Sequence, residues 1–136
     1  MMELRKNGRV LAVLDDLFFR VKIEAAARQE GVEVDFVRSE EDVYAKAAER
    51  PMLIILDLNC LSVQPLSLIA ALKTNEDTRE IPLLGYVSHV QDELRRKARD
   101  TGCDFVLARS AFSQNLPQVL KQHAGTTKRV EGGKAS

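Results

Sequence analysis

Five short apolar segments recur along the 136-residue chain, and a helix-like stretch follows each of them. Segments of this kind are typical of β-strands, and they lie at residues 10–14, 32–36, 52–56, 81–87 and 105–108. Regular alternation of strand and helix predicts a parallel sheet with helices on both faces. Right-handed crossovers then favour the strand order 2-1-3-4-5. The sequence therefore predicts an α/β fold: a flavodoxin-like (βα)5 three-layer sandwich around a five-stranded parallel sheet.

The composition of individual strands agrees with this order. Residues 10–14 and 52–56 are uniformly apolar, which is typical of strands that are covered on both faces. In residues 32–36, apolar and acidic side chains alternate instead, which indicates a strand with one solvent-facing side. We therefore expect the second strand at an edge of the sheet and the first and third strands side by side in its centre.

Capping residues predict where the helices begin and end. The first helix is predicted over residues 17–30, with Asp16 as N-cap and Gly31 just beyond its end. Its spacing predicts an inward face made of Leu17, Phe18, Val21, Ala25 and Ala26. Since the consecutive Phe18 and Phe19 cannot face the same way, one of them is expected to be exposed. The other helices are predicted to start at Ser39, Pro65, Ser88 and Leu116, the last with Pro117 in its first turn, and to end before Pro51, near Lys73, at Gly102 and near His123.

Length and charge limit the classes of function. The chain has 20 Lys and Arg and 20 Asp and Glu, so it carries no net charge that would favour nucleic acid or an anionic membrane as a partner. It contains no run of about 18 apolar residues that could span a bilayer. Cys60 and Cys103 lack metal-ligand spacing and are expected to be buried apolar groups. The sequence predicts one cytoplasmic domain over residues 8–124 and a disordered polar tail over residues 125–136.

Acidic residues follow two of the predicted central strands. Asp15 and Asp16 come directly after the first strand, and Asp57 comes directly after the third. Ligands of open parallel sheets bind outside the carboxyl ends of the strands, so these carboxylates are expected to share one crevice. Arg109, which follows the fifth strand, is expected to pair with Asp57 there. This arrangement suits a hard cation or a nucleophilic carboxylate.

The set of Asp15-Asp16, Asp57, Pro82 and Arg109-Ser110 resembles that of response-regulator receiver domains, over about residues 8–124. The resemblance implies that Asp57 accepts a phosphoryl group from a histidine kinase or another phosphodonor. It also implies a Mg²⁺ site formed by Asp15, Asp57 and the backbone carbonyl of Asn59, with Asp16 as the alternative to Asp15. Arg109 would then serve the phosphoryl group, and the signal would pass to an output protein.

The chain departs from the receiver pattern at several positions. Val87 stands where the family has a hydroxyl residue, and Ser88 follows it as a weak substitute that is also suited to capping the next helix. Arg109 replaces the family lysine, and Ser110 replaces the proline after it. Val106 stands at the position of the aromatic switch residue. The sequence therefore indicates an atypical receiver.

Two functional hypotheses follow, and neither is an enzyme. The first is a stand-alone receiver-like module that carries phosphate on Asp57 and signals through a partner. The second is a phosphorylation-independent adaptor, in which Asp57 and Arg109 are structural. A phosphatase of the haloacid-dehalogenase type is disfavoured because Asn59 stands where such enzymes have a second aspartate. The kinase, the output protein and the oligomeric state cannot be inferred from the sequence.

Overall fold

The structure is a computed structural model that describes the backbone of residues 8–132 and the side chains up to residue 123. Its elements are β1 (Arg9–Val13), α1 (Leu17–Glu30), β2 (Glu33–Val37), α2 (Glu40–Ala47), β3 (Leu53–Asp57), α3 (Pro65–Thr74), β4 (Leu83–Val87), α4 (Asp92–Thr101), β5 (Phe105–Ala108) and α5 (Arg109–Gly132). The sheet is parallel in the order β2-β1-β3-β4-β5. The predicted fold class and strand order are confirmed.

Two apolar layers sandwich the sheet. One layer packs side chains of α2, α3 and α4 against Ile54 and Leu56 of β3. The other packs side chains of α1 and α5 against Leu53 and Ile55 of the same strand. Because side chains alternate between the two faces of a strand, β3 is buried on both sides, as its uniform composition predicted. No helix in the described part of the chain is long and apolar enough to cross a membrane.

The second strand lies at the edge of the sheet, as its alternating pattern predicted. Every residue of β2 is at least partly exposed. Arg9 of β1 donates two hydrogen bonds of 2.9 Å to Asp35 of β2 and also pairs with Glu33. These charged contacts hold the exposed side of the edge pair together.

The limits of α1 agree with the prediction. Asp16 Oδ1 accepts hydrogen bonds from the backbone N–H groups of Phe18 at 3.0 Å and Phe19 at 3.2 Å. Gly31 ends the helix with φ of 69°, a left-handed conformation that glycine adopts without strain. The cap and the terminating glycine therefore act as the sequence indicated.

The predicted inward face of α1 is wrong except at Ala26. Its buried residues are Phe19, Ile23, Ala26 and Ala27, whereas Leu17, Phe18 and Val21 are 71%, 81% and 62% exposed. Apolar residues occur on two sides of this helix, so spacing alone did not identify the buried side. Phe19 is the residue that meets the sheet, because it stacks on Tyr86 of β4. The expectation that one of the paired phenylalanines is exposed is confirmed for Phe18.

The last two helices differ from the prediction at their starts. Helix α4 begins at Asp92 with Gln91 at its N-cap position, so Ser88 is not the cap, although Gly102 does end the helix. Helix α5 begins at Arg109 because Phe112 and Leu116, four residues apart, face the core from its first turns. Pro117 therefore lies inside the helix, which continues past residue 125. Residues 133–136 of the predicted tail lie outside the described residues.

Candidate functional site

Asp57 is the last residue of the central strand β3 and is only 3% exposed. It pairs in register with Tyr86 of β4. The backbone N–H of Asn59 donates to its Oδ1 at 2.9 Å. Within residues 8–123, no other group donates a hydrogen bond to this carboxylate. Asp57 therefore presents a second oxygen that is free to act as a ligand or a nucleophile.

The pKa of Asp57 is raised above its ordinary value, chiefly because burial disfavours its charged form. The Asn59 hydrogen bond and the positive charge of Arg109 act in the opposite direction. The negative charges of Asp16 and Asp15 raise the pKa further, with Asp16 having the larger effect. The structure thus places the four charged groups of the predicted crevice within electrostatic reach of one another.

The first-loop acids occupy different environments. Asp15 is exposed, whereas Asp16 is partly buried and uses Oδ1 to cap α1. Both line a groove together with Arg20 and Arg38. Within the side chains that the structure describes, no three His, Cys, Asp or Glu residues lie close enough together to hold a metal ion. A cation here would therefore use at most two of the acids, and which first-loop acid it uses stays a prediction.

Arg109 does not form the predicted ion pair with Asp57. Its guanidinium carbon lies 5.9 Å from the ring centroids of both Phe19 and Tyr86, a cation–π arrangement. Its Nε is buried without a hydrogen-bond partner in the described region. Because α5 starts at Arg109, this side chain leaves the first turn of the helix over the aromatic rings. Arg109 acts on Asp57 only through its longer-range charge.

An aromatic stack beside Asp57 was not anticipated from the sequence. Phe19, Tyr86 and Phe112 stack with centroid separations of 4.6 Å, 5.0 Å and 5.8 Å. Tyr86 is fully buried, and no described group pairs with its hydroxyl. Burial and the nearby Asp57 charge both raise the pKa of Tyr86, so its hydroxyl stays neutral. The sequence feature that could have indicated this stack is Tyr86, which stands in an otherwise apolar strand and pairs in register with Asp57.

Asn59 connects the loop after β3 with the loop after β4. Its Nδ2 donates to Gln91 Oε1 at 2.6 Å, and its Oδ1 accepts from the backbone N–H of Ser88 at 3.3 Å. Val87 is buried and apolar, so no hydroxyl comes from the end of β4 itself. Sequence reasoning used only the backbone carbonyl of Asn59 and did not assign any role at the site to Gln91.

A cleft of about 370 Å³ opens between the starts of α1 and α5. It combines cationic, hydroxyl and aromatic side chains, and is lined by Asp16, Phe18, Phe19, Lys22, Ser88, His89, Arg109, Ser110 and Ser113. Ser88, which was a weak candidate for the missing hydroxyl, therefore lies at this cleft. The exposed Phe18 also lines it.

No family model matches the sequence, and no curated protein matches it. Several solved structures do. The phosphorylated cyanobacterial phytochrome response regulator RcpA is 22% identical with a TM-score of 0.71, over 85% of this chain and 89% of its own. The chemotaxis response regulator CheY4 of Vibrio cholerae is 21% identical with a TM-score of 0.73, over 85% and 98%. This chain has the receiver-domain fold. The receiver domain of the sensor histidine kinase PA1611 from Pseudomonas aeruginosa, with a magnesium ion in its active-site cleft, is 20% identical with a TM-score of 0.74, over 87% and 98%.

Proposed function

We propose that this chain is a receiver module that accepts a phosphoryl group on Asp57 with Mg²⁺ and signals through a partner protein. The observation that carries the proposal is the position of Asp57, a single carboxylate at the carboxyl end of the central strand of a receiver fold. Two similar structures support it, since one is a phosphorylated response regulator and the other holds a magnesium ion in its active-site cleft.

The chemistry required of Asp57 is nucleophilic attack on phosphorus. One carboxylate oxygen forms the new P–O bond while the bond from phosphorus to the donor's leaving group breaks, and the leaving group takes that electron pair. Repulsion between the carboxylate and the incoming anion opposes this step. The positive charge of Arg109, which already acts on Asp57, reduces the repulsion.

The oxygen donors at the site fit Mg²⁺, which prefers carboxylate, carbonyl and water ligands. Asp57, the backbone carbonyl of Asn59 and either Asp16 or Asp15 would hold the ion, and waters would complete its octahedron. The free oxygen of Asp57 and its pairing with only one donor support this assignment. When bound, the ion would supply the positive charge that brings carboxylate and phosphate together.

The exposed apolar face of α1 is the proposed docking surface for the phosphodonor. Leu17, Phe18 and Val21 present a contiguous patch on successive turns, and Phe18 also lines the cleft. An exposed apolar patch is typical of a protein interaction site. A histidine kinase or another donor protein that docks here would bring its phosphoryl group to the cleft lined by Asp16 and Arg109, whose charges act on Asp57.

A phosphorylation-independent adaptor is the second candidate. It is favoured by the apolar Val87 at the end of β4 and by the near-complete burial of Asp57. The absence of a direct Arg109–Asp57 pair among the described residues weighs against the structural contact on which this candidate was first based. In either case the chain would act by binding another protein.

Intact-mass measurement after incubation with acetyl phosphate and Mg²⁺ tests the proposal. We expect an adduct of about 80 Da on the wild-type protein, the mass of one phosphoryl group, and none on Asp57→Asn. Asp92→Asn, at an exposed acid of α4, is the matched control and should label like the wild type. If the wild type stays unlabelled while a competent receiver domain labels under the same conditions, the adaptor function replaces the phosphoacceptor.

A further inference from the structure

A chain of hydrogen bonds runs from Asp57 to the first turn of α4. Asn59 donates its backbone N–H to Asp57 Oδ1 at 2.9 Å and its side-chain amide to Gln91 Oε1 at 2.6 Å. The backbone carbonyl of Gln91 in turn accepts the N–H of Arg95, at 3.1 Å, in the first turn of the helix. We call the side-chain contact between Asn59 and Gln91 the amide bridge.

Helix α4 has few other contacts that fix its start. Ala98 is its only fully buried residue, and Leu94 packs against the core only in part. The side chain of Gln91 makes no capping hydrogen bond to the helix. The amide bridge is therefore the polar contact that ties the beginning of α4 to the loop after β3.

Among the described residues, the end of β4 offers no polar side chain that could link Asp57 to α4. Val87 is buried and has no polar side-chain atom, so it cannot form a hydrogen bond with a group on Asp57. The backbone N–H of Ser88, the next residue, is already bonded to Asn59 Oδ1. Both described hydrogen bonds that link the loop after β3 to the loop after β4 are therefore made by the side chain of Asn59.

We propose that the amide bridge transmits a covalent change at Asp57 to the start of α4, an inference that rests on the proposed phosphorylation. Hydrogen bonds to a carboxylate are strengthened by its charge. When one oxygen of Asp57 joins phosphorus, that charge moves to the phosphoryl oxygens. The backbone and side-chain N–H groups of Asn59 and the backbone N–H of Ser88 then reorient toward these stronger acceptors. Asn59 then releases Gln91, and the first turn of α4 loosens.

Amide hydrogen exchange of Arg95, measured by NMR, tests the bridge. Phosphorylation by acetyl phosphate is expected to speed this exchange roughly 2- to 10-fold in the wild type, the range for loss of one hydrogen bond. Gln91→Ala should exchange fast before phosphorylation and show no further increase after it, although it labels normally. Gln91→Glu keeps the oxygen acceptor and should restore the response. An equal increase in Gln91→Ala and in the wild type would overturn the proposal while leaving the phosphoacceptor function intact.

A second arm tests the bridge without phosphate. Asp57→Ala removes the oxygen that holds the Asn59 N–H, so it should speed Arg95 exchange in the wild-type background but add nothing to Gln91→Ala, because the two changes break one connected chain. Asn115→Ala, which removes an exposed asparagine contact in α5, is the control and should change neither rate. Additive effects of Asp57→Ala and Gln91→Ala would refute the bridge, whether or not the wild type accepts phosphate.

Discussion

Burial is the main influence on the pKa of the Asp57 carboxyl group. Its raised pKa means that the native state disfavours the ionised form, because the protein interior solvates charge poorly and Asp16 and Asp15 lie near. Arg109 offsets this only in part, since its guanidinium lies over aromatic rings instead of against the carboxylate. A carboxyl group whose charged form is disfavoured by burial, at the end of the central strand, is common at functional sites.

The pH dependence of stability tests this view of Asp57. The native state binds the Asp57 proton more tightly than the unfolded chain does. Below the unfolded-state pKa of about 3.9, the residue is protonated in both states and costs the least stability. The free energy of unfolding then falls as pH rises from that value through the raised native pKa. Asp57→Asn should therefore raise the melting temperature at pH 7 and raise it much less near pH 3. Thermal unfolding followed by circular dichroism at both pH values measures this. An equal effect at both would mean that charge burial is not its cause.

At the scale of single elements, α1 shows how a helix is oriented by one specific contact. Two sets of apolar residues lie on different sides of this helix, and both are large enough to form a buried face. The stack of Phe19 with Tyr86 and Phe112 selects the buried set. The rejected set, Leu17, Phe18 and Val21, is left exposed, and Phe18 of this set lines the cleft. These three residues, which were wrongly predicted to be buried, are therefore the ones that form the proposed docking surface.

Alanine substitution of the two adjacent phenylalanines separates packing from docking. Phe19→Ala should lower the free energy of unfolding by about 3–5 kcal/mol, because it empties a buried aromatic stack. Phe18→Ala should change it by about 0.5 kcal/mol or less, because its ring is exposed. Urea denaturation measures both values. If Phe18→Ala also unfolds the protein, the exposed face of α1 has a structural role that its solvent exposure does not show.

At the scale of the whole molecule, Lys73 connects several elements near the β5 edge of the sheet, opposite β2. Its ammonium group forms an ion pair with Asp104 at 2.7 Å and donates to the carbonyls of Ile81 at 2.8 Å and Arg79 at 3.0 Å. Asp104 also accepts the N–H of Leu83, at 2.8 Å. One side chain thus joins the end of α3 to the residues that begin β4 and β5.

Replacing Lys73 by methionine keeps the apolar stem and removes the charge. The change leaves Asp104 and two carbonyls with fewer partners, and we expect a loss of about 2 kcal/mol in the free energy of unfolding. Lys97→Met, at an exposed pair with Glu93 in α4, is the matched control and should lose about 0.5 kcal/mol or less. Chemical denaturation compares the two variants. Equal losses would show that the contacts of Lys73 add no more than a surface pair does.

The amino-acid sequence by itself determined the five βα units, the strand order, the position of Asp57 and the cap of α1. The βα units, the position of Asp57 and the cap depend on local signals, such as uniform apolar runs, Asp16 and Gly31, which act over a few residues. The strand order follows from the right-handedness of crossovers between parallel strands, which holds for such sheets in general. Only the tertiary structure decided that Phe19 faces the core, that Arg109 lies over Phe19 and Tyr86, and that Asn59 reaches Gln91. Each of these contacts joins residues from separate βα units, so its distance and direction depend on how the helices and loops pack around the sheet.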